Sequence, residues 1–214
     1  MNFYEKNKTL LKITYAGLMA ALCYVGYAIF PAINTGGTKI HLGNAFVVLG
    51  ALFLGGVYGG FAGALGLSLA DILGGFSASA PRTFICKLVI GLIVGLVAHK
   101  LAKLSHNHPR TYIVKWSVIS AIVGLGFNCV FEPALKYVWY TVLTPNAEKA
   151  ASAIKALVAV TTYATLINAV INSVIAVIAY LALRPILYRS GILGEIDSKE
   201  TAKNDSNGSP AVSA

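Results

Sequence analysis

The chain has 214 residues, 57% of them hydrophobic and 12% charged, with a mean hydropathy of +0.71. Water cannot wet such a composition as a soluble domain, so the sequence is that of an integral membrane protein. The formal net charge of +9 would suggest nucleic acid in a soluble protein. Here the basic residues lie mainly between and beyond apolar runs, where the cytoplasmic ends of membrane helices collect them, and no nucleic-acid partner is expected.

The N-terminal stretch "MNFYEKNKTLLKITYAGLMAALCYVGYAIFP" places basic residues ahead of an apolar run, as a signal peptide does. The run is long enough to span and more membrane follows, so it is expected to be retained as a first helix. Apolar windows then give six expected spans: residues 13–30, 41–54, 57–73, 83–98, 112–140 and 154–183. The second and third are separated only by "GGVYGG", which predicts a tight helical hairpin with glycines as helix ends and turn. Residues 1–193 form one membrane domain. The tail "GEIDSKETAKNDSNGSPAVSA", residues 194–214, is polar, small and charge-mixed, and is expected to be disordered.

With six spans and both termini inside, cytoplasmic segments hold Lys6, Lys8, Lys12, Lys100, Lys103, Arg110, Lys115, Arg184, Arg189, Lys199 and Lys203, eleven of the 17 basic residues. That bias supports cytoplasmic termini. The expected class is therefore an all-α membrane protein of six transmembrane helices. Small residues recur at intervals of four: Ala16 and Ala20 on the first span, Gly55, Gly59 and Gly63 into the third, Gly91 and Gly95 on the fourth. Such stripes let helix backbones approach closely. The glycines are read as internal packing, and the alanine pair either as packing or as a face for another protein.

Inside the fifth span, "FNCVFEPALKYVWY" carries Asn128, Glu132, Lys136 and Tyr140 on one helix face. The sixth span carries a comparable stripe of Thr161, Thr165, Asn168 and Asn172, and the two are expected to face each other. Asp71, Arg82, Lys87, His41 and Asn44 fall at the same outer depth. An ionisable group in hydrocarbon costs roughly 2.5–3.5 kcal/mol on insertion scales, so several at one depth must share partners, water or a ligand. A binding cavity is the default reading; the alternative is that Glu132 and Lys136 pair along one helix turn while the asparagines join helices. Pro133 frees a backbone carbonyl beside the site. Tyr137, Trp139 and Tyr140 read as an interfacial belt or as stacking partners for a planar ligand. His99, His106 and His108 lie in a loop read as solvated. Cys23, Cys86 and Cys129 show no metal-ligand spacing, and neither disulfide nor metal is expected. No nucleotide-binding phosphate loop, zinc-protease motif or nucleophile elbow is present in the sequence.

The run "IHLGNAFVVLGALFLGGVYGGFAGALGLSLADILGGFSASAPRTFICKLVIGLIVGLVAHKL", with "YAGLMAAL" on the first span, resembles the substrate-binding S components of energy-coupling factor (ECF) vitamin transporters. The resemblance covers about residues 10–190. It implies a six-helix bundle in a bacterial cell membrane that binds one vitamin in an outward-facing cavity. The first loop and the outer parts of helices four to six would hold it, here Asn34 to His41, Lys87, Asn128, Glu132, Lys136, Thr165 and Asn168. Asn44, Tyr140 and Asn172 complete the expected set, and Asp71 matches an acidic residue after the third helix. Ala16 and Ala20 match the pair that contacts a membrane coupling subunit. Two partner ATPases would consume ATP, and this chain would carry no cofactor of its own and catalyse nothing. The near balance of acid, base, amide and aromatic groups suits a small heterocycle such as a pyridoxine-like or hydroxymethylpyrimidine-like compound. Riboflavin and pantothenate are the competing substrates, and a stand-alone proton-coupled carrier is the competing class.

Overall fold

The structure, a computed structural model, describes residues 3–28, 33–34, 39–106, 108–143 and 151–189. Six α-helices run in chain order: α1 Phe3–Ala28, α2 Gly43–Leu54, α3 Gly56–Leu73, α4 Ala80–Gly95, α5 Arg110–Val138 and α6 Ala151–Arg189. π-helical turns extend α4 through Leu96–Leu101 and α5 through Trp139–Leu143. The helices replace the expected spans with longer ones at most ends, because helices continue past the apolar window into the interface. The expected all-α class holds, and the loop expected between the first two spans carries a small antiparallel hairpin, in which β1 (Ile33–Asn34) pairs with β2 (Lys39–Ile40), Ile33 opposite Ile40 and Asn34 opposite Lys39. Strands of two residues are too short to leave a period-2 pattern in sequence. Residues 35–38 of the expected ligand loop and the expected tail lie outside the described residues.

Five helices are long and apolar enough to cross a membrane; α2 is not one of them. Its 12 residues extend about 18 Å at ~1.5 Å per residue, against a hydrocarbon core of about 30 Å. The sequence of α2, "GNAFVVLGALFL", is apolar on every side, and ten of its residues are buried. A helix apolar all round belongs inside a bundle, and α2 packs against all five other helices. The expected break after Leu54 is present and is sharper than expected: Gly55 alone, at φ 85°, ends α2 and precedes the first residue of α3. That left-handed conformation is one that glycine adopts without steric cost.

Glycine also sets how closely α3 meets its neighbours. On its α4 side, Gly56 and Gly60 lie against Gly95 and Gly91, so that a Cβ on either α4 glycine would overlap α3 backbone. Gly59 lies against the Gly50–Ala51 backbone of α2, and Gly66 against the Ala20 carbonyl of α1. The glycine pairs are thus internal packing, and α3 approaches three helices at backbone distance. Without a hydrophobic force between helices in lipid, this close van der Waals contact is what holds them together.

Gly91→Ala is expected to destabilise the bundle by about 1–3 kcal/mol, the usual penalty of overpacking. Gly17→Ala is expected to be neutral, because nothing lies within 4 Å of a Cβ there. Thermal unfolding in detergent reads both; equal midpoints would show that α3 and α4 do not meet at their glycines.

Candidate functional site

Polar side chains from all six helices gather at the end of the bundle that carries the β-hairpin. The α5 stripe contributes most, because residues spaced by four on a straight helix project from one face. Asn128 is 2% exposed and Lys136 1% exposed. Glu132 does not simply serve its own helix: its Oε2 accepts from Lys87 Nζ of α4 at 3.1 Å and from Asn128 Nδ2 at 2.9 Å. Lys136 Nζ donates to Thr161 Oγ1 of α6 at 2.7 Å. The two stripes therefore do face each other along this stretch, as expected, and Cys129 Sγ also lies 3.6 Å from the Thr165 carbonyl. Thr165 is buried, and its hydroxyl is donated back to the α6 carbonyls of Thr161 and Thr162 at 2.9 Å each. Tyr140 is half-buried, with the Arg82 guanidinium 6.0 Å from its ring centroid.

A second cluster centres on Asp71, near the end of α3 and 5% exposed. Tyr27 of α1 donates to its Oδ1 at 2.7 Å, and Ser79 and Thr83 donate to its Oδ2 at 3.0 and 2.5 Å. Three hydroxyls thus replace the water a carboxylate would otherwise need. Lys39 of the hairpin lies 4.7 Å from the centroids of both Tyr27 and Phe76, within cation–π range. Sequence reasoning missed Tyr27, Ser79 and Thr83, whereas Lys39 falls within the expected loop Asn34 to His41. The signal for the Ser79 and Thr83 hydroxyls was their spacing of four at the start of α4, Ser79 just before the helix and Thr83 in its first turn, eight and twelve residues after Asp71.

The α6 asparagines sit in the same region but are committed to backbone. Asn168 Oδ1 accepts the His41 N–H at 3.0 Å and its Nδ2 donates to the Lys39 carbonyl at 2.9 Å. Asn172 Oδ1 accepts the Ala45 N–H at 2.9 Å, while its Nδ2 donates to the carbonyls of His41 at 3.0 Å and Asn168 at 2.7 Å. His41 accepts the Gly43 N–H on Nδ1 at 3.0 Å, so a neutral ring carries its proton on Nε2. These three residues bind the start of α2 and the hairpin to α6. Asn44 is buried beside them with Oδ1 unpartnered; Arg82 Nη1 and Asn128 Oδ1 share that condition. Asn34 pairs with Lys39 through the hairpin backbone.

At the opposite end, two residues outside the expected site do structural work. His99, read as solvated, is half-buried: Nε2 lies 3.0 Å from the Ala51 carbonyl and Nδ1 2.7 Å from Ser105 Oγ. Arg184, placed in sequence beyond the last span, is buried and donates to the carbonyls of Leu104 at 3.0 Å and His106 at 3.1 Å. His99 meets a carbonyl near the end of α2 and Arg184 meets two carbonyls of the loop after α4, tasks that apolar periodicity does not reveal. Among the described residues, no group of three His, Cys, Asp or Glu could hold a metal ion.

A bundle of apolar helices, five of them long enough to cross a membrane, with polar groups from every helix buried at one end, defines a multi-pass membrane protein. The chain matches the family model described as "ECF-type riboflavin transporter, S component" over residues 7–185. It belongs to that family of transporter subunits. No curated protein and no solved structure matches it. Ala16 and Ala20 both lie half-buried on α1, the least buried of the five long helices. The Ala20 carbonyl is turned to Gly66 of α3, while Gly17 and Ala21 are exposed beside the pair.

Asn172→Leu is expected to lower the stability of the ligand-free protein, because it strands buried backbone groups at about 1–3 kcal/mol each. The check is the thermal midpoint in detergent, with amide exchange at Ala45 as a local readout. Unchanged stability and exchange would return Asn172 to the list of ligand groups.

Proposed function

We propose that this chain is the substrate-binding subunit of an ECF importer, that the hairpin end faces outward, and that the ligand is riboflavin or a compound of the same polar, ring-bearing kind. The observation that carries the reading is the family match over residues 7–185. It moves the choice of substrate from the small heterocycles favoured by charge balance to the competing riboflavin. The chemistry of the hairpin end supports the change. Asn44 Oδ1 and Asn128 Oδ1 are buried acceptors without partners, and a flavin brings an imide N–H and several hydroxyls as donors. The rim aromatic Tyr140 offers a ring face.

The ligand set that we favour is narrower than the sequence expectation. Asn44, Lys87, Asn128, Glu132, Lys136, Thr165 and Tyr140 line or approach the ligand. Asn168, Asn172 and His41 hold the backbone that shapes it, and Asp71 anchors α1, α3 and α4 from behind. The exposed cations Lys100, Lys103, Arg110 and Lys115 at the opposite end suit the cytoplasmic side, in keeping with both termini inside. Coupling to a membrane partner and two ATPases supplies the energy that a chain without a nucleotide-binding loop lacks. The open face of α1 around Ala16, Gly17 and Ala21 is the docking face for that partner, with Ala20 supporting it from the α3 side.

The test is to purify the protein in detergent without added ligand and identify by mass spectrometry whatever leaves on denaturation, then to titrate riboflavin by fluorescence quenching. Stoichiometric flavin, or saturable quenching, is expected. A co-purified pyridoxine-like or pyrimidine compound would restore the first choice of substrate. Uptake by this chain alone in proteoliposomes, driven by a proton gradient, would overturn the importer reading in favour of a secondary carrier.

Ala16→Trp is expected to leave riboflavin quenching unchanged while abolishing co-purification with the coupling subunit, since a bulky side chain blocks close helix approach. Intact assembly in that variant would remove this face of α1 from the interface.

A further inference from the structure

We propose that Arg82 is an anion-holding residue of the ligand site, so that the preferred solute carries a carboxylate or phosphate monoester on its ring-bearing body. The inference rests on the reading of the hairpin end as the ligand site, and it goes beyond riboflavin itself, which bears no such group. Arg82 is 8% exposed, and a guanidinium is a planar, delocalised cation. Its Nη1 is buried without a hydrogen-bond partner, and it forms no ion pair among the described residues.

The other buried cations differ. Lys87 meets Glu132, Lys136 meets the Thr161 hydroxyl, and Arg184 meets two carbonyls. The two acids of the hairpin end are already engaged, Asp71 by three hydroxyls and Glu132 by Lys87 and Asn128. Arg82 is left as a desolvated positive charge that no acid among the described residues neutralises, which is unfavourable in a low dielectric.

An anion arriving with the solute removes that penalty. The planar guanidinium can bind carboxylate or phosphate oxygens in pairs. Arg82 also lies in the first turn of α4, where the helix dipole favours negative charge. Tyr140, whose ring centroid is 6.0 Å away, belongs to the same α5 face as Asn128, Glu132 and Lys136. An anionic group at Arg82 would therefore sit beside the groups proposed to hold the ring. Burial inside the bundle, rather than exposure on the lipid face, favours a solute over a phospholipid headgroup as the source of the anion.

The experiment titrates the whole chain, in nanodiscs of phosphatidylcholine, with riboflavin and with riboflavin 5′-phosphate, reading flavin fluorescence. The phosphate ester is expected to bind about tenfold tighter or better, each tenfold corresponding to one decade in Kd, and Arg82→Gln is expected to bring the two affinities together. Arg82→Lys, which keeps the charge, should retain part of the preference and guards against misfolding of the glutamine variant. Equal affinities in the unaltered protein, or a preference that survives Arg82→Gln in a monodisperse protein, would overturn the proposal while leaving the riboflavin reading intact. Failure of both flavins to bind would overturn that reading instead. The co-purified solute then decides: an acid lost on Arg82→Gln upholds the anion site, whereas a neutral solute retained by the variant refutes it. Arg82-dependent retention of phosphatidylglycerol, with solute binding unaffected, would assign Arg82 to a lipid phosphate and also refute it.

Discussion

The fold depends on satisfying the backbone at both ends of α2. A helix that spans a bilayer leaves its unpaired terminal N–H and C=O groups in water or among headgroups. α2 is too short to do so and is enclosed by the other five helices. Four donors at and just before its start are met by specific partners: His41 N–H by Asn168, Leu42 N–H by the Gly26 carbonyl of α1, Gly43 N–H by the His41 ring, and Ala45 N–H by Asn172. At its other end the Ala51 carbonyl receives the Gly55 N–H and lies against His99. A central helix held in this way fixes the depth of Asn44 and supports the hairpin through Lys39.

Glycine packing complements this. Because α3 meets α1, α2 and α4 at backbone distance, its own side chains contribute little bulk between helices. The polar groups at the ends of those helices are consequently brought together: Asp71 reaches Tyr27 on one side and Ser79 and Thr83 on the other. The α3·α4 seam also sets the position from which Lys87 reaches Glu132. The acid and base within the fifth helix thus answer to different partners, Glu132 to α4 and Lys136 to α6. A charge on each would be expensive alone and is tolerable when satisfied across a helix boundary.

Much of the bundle was legible in sequence because apolar windows, the Gly55–Gly56 break and the spacing of four in α5 are local signals. Partner identity was not. The α6 spacing of Thr161, Thr165, Asn168 and Asn172 correctly gave one face, but an asparagine that binds a ligand and one that binds an unpaired N–H share the same spacing. The difference lies in α2 being short and buried, which emerges only from packing. His99 was misread for the same reason, since a polar residue just beyond an apolar window reads as solvated until the loop folds back over it, and the same loop supplies the carbonyl partners of Arg184. Asp71 was recognised as buried and polar, whereas its three hydroxyl partners came from elements that no local pattern joins.

The two ends of the bundle differ in how completely their polar groups are used. Among the described residues, the buried side-chain atoms without a partner are Asn44 Oδ1, Arg82 Nη1 and Asn128 Oδ1, and all three lie at the hairpin end. At the other end, Arg184 and His99 meet carbonyls and hydroxyls that tie α6, the loop after α4 and the end of α2 together. Unused hydrogen-bonding capacity in a low dielectric raises the free energy of the empty protein and is recovered when a complementary solute arrives. The asymmetry is in keeping with the proposed entry of solute from the hairpin end. Release at the other end would then require disrupting the contacts of Arg184 and His99, or moving the bundle as a whole, and either course needs work from outside the chain.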